Sequence, residues 1–105
     1  LGDAEISMVV NIARPFSSTV DGIINAYEQL RRVVGIKVDY LINNANLSYE
    51  TTSELILRGE EMVGKVSELI EVPVKFTVVP DFIDDDENKF RYPIFKIKRF
   101  MRMEI

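Results

Sequence analysis

The chain has 105 residues, 47% of them hydrophobic, and a formal net charge of -4; that length supports one core and is short for two domains. It contains neither Cys nor His, which excludes disulfides, thiolate metal sites, Cys-His and Ser-His-Asp catalysis and imidazole-bound zinc. Its apolar runs fall far short of the about 20 residues that cross a bilayer, and Leu1-Gly2-Asp3-Ala4-Glu5 has no signal-peptide or transit-peptide pattern, so a cytoplasmic protein without a membrane span is expected.

A start at Leu1 rather than Met reads as a processed chain or a fragment. Residues 5–12 then read as a strand, because Ile6, Met8, Val9, Val10 and Ile12 form a nearly continuous apolar run of the kind covered on both faces. Arg14-Pro15 ends it, since Pro has no amide hydrogen for a ladder. Ser17, Ser18 and Thr19 offer caps for a helix with Val20, Ile23, Ile24, Tyr27, Leu30 and Val34 on its apolar face, and Gly35 suits its left-handed end.

Residues 37–43 form the second expected strand, with Val38, Tyr40, Leu41 and Ile42 at its centre. It empties into the polar turn Asn43-Asn44-Ala45-Asn46-Leu47-Ser48. Thr51, Thr52 and Ser53 offer capping hydroxyls, with Thr51 and Glu54 at capping-box spacing. The helix after them buries Leu55, Met62, Val63, Val66, Leu69 and Ile70, with Gly59 on the same face, and Pro73 stops it. Residues 74–79 read as a third strand, Phe82-Ile83 as the start of a short helix, and Tyr92 to Ile97 as a strand or an irregular tail.

The order β-α-β-α-β with long crossovers predicts a parallel sheet. Right-handed crossovers lay helices over it, giving a three-layer α/β unit over residues 1–105. Ligands of such sheets gather outside the carboxyl ends of strands, which places a site among residues 11–17, 43–48 and 79–82.

Gly59-Glu60-Glu61-Met62-Val63-Gly64-Lys65-Val66 matches the glycine and lysine spacing of a phosphate-binding loop. It is rejected: the string lies within a helical pattern, Val66 holds the place of the magnesium-binding hydroxyl, and Glu60 and Glu61 would repel phosphate. The three Asn of the polar turn place carboxamides, each a donor and an acceptor, at the ligand-bearing edge, where one can read a purine; the same residues also serve as ordinary turn formers. Arg14 is an anion clamp or a surface charge beside Pro15.

Asp84-Asp85-Asp86-Glu87 lacks the Gly and downstream Glu of a calcium loop and reads as a solvated turn, with no metal site. Lys89, Arg91, Lys96, Lys98, Arg99 and Arg102 make the tail basic, as gatekeeping charges of an edge strand or as an anion contact. The acidic total argues against general nucleic-acid binding.

Met8-Val9-Val10-Asn11-Ile12-Ala13-Arg14-Pro15-Phe16-Ser17-Ser18-Thr19, then Leu41-Ile42-Asn43-Asn44-Ala45-Asn46-Leu47-Ser48-Tyr49-Glu50-Thr51-Thr52, then Val72-Pro73-Val74, resemble the C-terminal half of MinD/ParA-type P-loop ATPases, with the nitrogenase iron protein more distant. The resemblance covers roughly positions 6 to 82. It implies a P-loop NTPase-like fold and an adenine-reading Asn, a role that falls on Asn44 or, in the alternative, Asn43. Pro80, Asp81 and Phe82 would then line the base pocket. It also implies a parent that binds ATP and magnesium, dimerises with ATP between subunits and acts as a switch. The missing N-terminal half would carry the Walker A loop and be this chain's partner. No catalytic residue can be assigned to the chain alone, and tight nucleotide binding by it alone is not expected. The alternative function is a non-catalytic interaction module that uses a sheet edge or the basic tail.

Overall fold

The computed structural model describes residues 4–83 and 89–98. The acidic cluster Asp84 to Glu87 and the tail residues Arg99 and Arg102 lie outside the described residues.

Four strands, β1 (Ser7–Val10), β2 (Tyr40–Asn43), β3 (Val74–Pro80) and β4 (Ile94–Ile97), form one sheet in the order β1-β2-β3-β4. Every neighbouring pair is parallel, with Val10 beside Asn43, Asn43 beside Thr77 and Thr77 beside Ile94. The expected parallel α/β sheet is therefore present, and its carboxyl ends share one rim. The C-terminal segment that sequence left open as strand or tail is the fourth strand.

α1 (Val20–Glu28) begins at Thr19, whose hydroxyl accepts the Gly22 amide at 3.0 Å. It continues as a π-helix, Gln29–Val34, and stops at Gly35, which takes φ 80°. The wider π turn rotates the face away from its α phase. Val34, expected in the core from α spacing, is consequently 61% exposed. α2 (Ser53–Ile70) is capped by Thr52, which accepts the Leu55 amide at 3.1 Å. Of the hydroxyls offered as caps, Thr52 is the one used, while Thr51, at the capping-box position, is buried in the preceding loop. The helix ends at Glu71 in the left-handed region. Leu69 is exposed and Ile56 is fully buried, so the helix's inward face is offset from the expected stripe. The phosphate-loop-like string lies inside α2, where its amides are committed to the helix.

Ile23 of α1 and Val63 and Val66 of α2 share one core with Val10 and Leu41 of the sheet. Both helices therefore cover the same sheet face, as successive same-handed crossovers do when strand order follows chain order. The other face carries the in-register row Val9, Ile42 and Phe76, with Phe95 packed on Phe76 at 5.2 Å between ring centroids. Val9 is 57% exposed, so β1 is not covered on both faces as its apolar run suggested. Of the three layers expected, the described residues supply two.

The described part of the β3–β4 crossover contains no helix; Phe82-Ile83 forms a turn in which the Ile83 amide donates to Pro80 O. The partly buried amides of Arg91 and Tyr92, outside any helix, need acceptors. The buried Glu60 carboxylate supplies them, accepting Arg91 N at 2.8 Å, Tyr92 N at 3.1 Å and the Thr77 hydroxyl at 2.7 Å. Phe90 closes a second small core with Ile56 and Val79. Among the described residues no helix is long and apolar enough to cross a membrane.

Candidate functional site

The loops leaving β1 and β2 are joined by side-chain hydrogen bonds. Asn11, one residue past β1, accepts the amides of Ala13 at 2.9 Å and Asn46 at 3.0 Å through Oδ1, and donates to Asn46 O at 3.1 Å through Nδ2. Asn46 in turn accepts the Ser48 amide at 2.6 Å. The Thr51 hydroxyl accepts the Leu47 amide at 2.8 Å and donates to Ser48 O at 2.7 Å. These bonds hold Ser48 at φ 59°, a left-handed conformation that a non-glycine residue adopts only with support from its surroundings.

Between the two loops lies an open cleft of about 620 Å³, lined by Asn11, Ala13, Arg14 and Pro15 on one side and Asn44, Asn46, Leu47 and Ser48 on the other. The volume falls in the range of small-molecule sites. The carboxamides of Asn11 and Asn46 are committed to the loops. That of Asn44 has no hydrogen bond among the described residues; only its backbone amide is tied, to Val10 O at 2.9 Å. Arg14 is held through its backbone, its amide donating to Asn11 O and its carbonyl accepting from Ser17 N, each at 3.1 Å. No acidic side chain lines the cleft. Phe16, 87% exposed, and Leu47, 48% exposed, add apolar surface to the same loops.

Of the expected site residues, Asn44 and Arg14 are brought together on this cleft. Asn43 is directed away from it. Its side chain is fully buried under α2, donating to Ile56 O at 3.1 Å, with Oδ1 lying against Gly59 and without a hydrogen-bond donor. The alternation of β2 is the reason: successive residues face opposite sides, and Asn43 shares the helix-covered side with Leu41. Pro80 is buried at the end of β3 beside Ile97, Asp81 is exposed in the following turn, and neither lines the cleft. Asn46, Leu47 and Ser48 fall within the segment 43–48 expected to border a site, but chain spacing did not foretell that Thr51 anchors them. The capping-box spacing that suggested a helix start at Thr51 was the only signal there.

Strand order does not reverse within the sheet, so the cleft is not the gap between diverging crossovers found at a topological switch point. It owes its shape to the two loops that Asn11 ties together. A carboxamide and a guanidinium, both without side-chain partners here, can hydrogen-bond a heterocycle edge or an anion. They cannot perform acid-base or nucleophilic chemistry at neutral pH. Among the described residues no group of acidic side chains is arranged to hold a metal ion.

Comparison with known protein families, curated proteins and solved structures finds no match for this chain.

Proposed function

We propose that the chain is the base-recognition side of an ATP-binding P-loop-type molecular switch of the MinD/ParA kind, with phosphate and magnesium chemistry supplied by other residues of the parent protein. The observation that carries this reading is the half-buried Asn44 carboxamide, unsatisfied among the described residues, on a cleft at the carboxyl rim of a parallel sheet. A carboxamide so placed matches the donor and acceptor pair on an adenine edge. The row Val9, Ile42 and Phe76, on the face away from the described helices α1 and α2, supports the same reading, because parallel sheets are stable when both faces are covered. In this reading further parent sequence packs there. Asn43, Pro80 and Asp81 have no part in the base contact.

Amide-resolved NMR titration of the chain with adenosine tests the reading. Shifts confined to Asn11 to Arg14 and Asn44 to Ser48, and lost in Asn44→Ala, are expected. Shifts in the groove at the opposite end of the sheet, around Tyr27, Arg31 and Pro73, or none at all, would count against it.

A second reading, a non-catalytic interaction module, draws on the same exposed face, where Val9 and Phe95 are both more than half exposed. It requires self-association or partner binding that is indifferent to nucleotide and sensitive to Val9→Glu or Phe95→Glu.

A further inference from the structure

Resting on the base-recognition reading, the geometry points to a second contact in the same cleft: we propose that Arg14 receives the phosphate group next to the ribose, so that the cleft favours a nucleotide over the neutral nucleoside.

Among the described residues Arg14, like Arg31, Arg58 and Lys65, has no acidic partner, and of these it is the one that lines the cleft. This is so in a chain with 17 Asp and Glu. The lining of the cleft supplies carboxamides, a hydroxyl and apolar groups, and Arg14 is its sole charge. A cleft with one cation and no anion favours an anionic ligand. The backbone on which Arg14 stands is fixed by two hydrogen bonds and by Pro15. The guanidinium is therefore displayed from a rigid base, which limits the entropy lost when it closes on a ligand. Its planar fork of donors suits two phosphate oxygens at once. Asn44 faces the same space from the β2 loop, so base and phosphate are gripped from opposite walls.

Affinities of adenosine and adenosine 5′-monophosphate for the full chain, measured by NMR titration at low ionic strength, separate this inference from the reading beneath it. The monophosphate is expected to bind roughly tenfold more tightly than adenosine, as one exposed charge-assisted contact provides, and the advantage should shrink as salt is added. Arg14→Gln should abolish the monophosphate's advantage, so that this variant binds the two ligands equally, while Asn44→Ala should weaken both. Equal affinities in the unaltered chain, or a monophosphate advantage that survives Arg14→Gln, would overturn the second contact and leave base recognition standing. Absence of adenosine and monophosphate shifts at Asn44 would overturn both.

Discussion

The side chain of Asn11 bonds to the backbone of Asn46 as a strand neighbour would, accepting from its amide at 3.0 Å and donating to its carbonyl at 3.1 Å. The parallel pairing of β1 with β2 ends at Val10 and Asn43; beyond it, one carboxamide continues the connection between the loops. The cleft exists because this tie holds its two walls at a fixed separation.

Replacing Asn11 with Asp keeps the acceptor and removes the donor to Asn46 O, placing carboxylate oxygen against carbonyl oxygen. A loss of about 1–3 kcal/mol of stability follows from leaving a partly buried polar group unpaired. Urea denaturation should show a lower midpoint at unchanged slope, and the amides of Ala13 and Asn46 should lose more hydrogen-exchange protection than those of α1.

Glu60 terminates three donors from two segments, so Glu60→Gln leaves at least one of them facing an amide group that cannot accept. The expected cost is about 2–3 kcal/mol. Exchange protection should fall first at Arg91, Tyr92 and β4, because these depend on Glu60, while the core formed by Ile23, Leu41 and Val63 keeps its protection. Uniform loss across the described residues would contradict this role of Glu60.

Gly59→Ala tests the packing of α2 on β2. A Cβ there would overlap Asn43 Oδ1 and crowd Ala45. The helix-propensity gain of about 1 kcal/mol is outweighed by overpacking of about 1–3 kcal/mol in a buried position, so net destabilisation is expected. Glu71→Gly should act in the opposite sense. Glu71 ends α2 at φ 60°, and relieving that left-handed strain is worth about 1 kcal/mol. Thermal denaturation of the two variants should move the midpoint in opposite directions.

The alkaline limb of stability has two assigned contributors. The hydrogen bond from Lys75 to Glu5 raises the Lys75 pKa above 10.5, with burial opposing it and the charges of Glu5 and Tyr40 adding to it. Burial raises Tyr92 above 10.0, opposed by Arg91 and reinforced by Glu60 and Glu68. In both cases the unfolded chain releases its proton first. The stabilisation is therefore complete below the unfolded values and is lost as pH rises through the folded ones. Urea midpoints followed from neutral pH to beyond pH 10.5 should decline less steeply in Tyr92→Phe and in Lys75→Met, with the Tyr92 effect setting in first.

Much of this architecture was legible in the chain. The apolar runs around Val9, Leu41 and Val78 located three strands, Thr19 and Gly35 bounded the first helical segment, and crossover length dictated parallel pairing. What was not legible depended on phase and on tertiary partners. The π turn at Gln29–Val34 has no signature in apolar spacing, so Val34 was placed inside. Continuous hydrophobicity in β1 could not show that Val9 faces away from both helices. At the site, Asn43 and Asn44 are chemically identical and adjacent; only the register of β2 beneath α2 decides that one is buried and the other lines the cleft. The fourth strand was left open because nothing in local spacing shows that Glu60 of α2 accepts the Arg91 and Tyr92 amides that lead into it.

The most direct measurement is a search for intermolecular nuclear Overhauser contacts between the adenine ring protons of a saturating nucleotide and the side chains of this chain. Contacts to the Asn44 carboxamide protons and the Leu47 methyl groups are the result predicted. Contacts instead to Val9, Phe76 and Phe95 on the sheet face away from α1 and α2, with none at Asn44, would contradict the account.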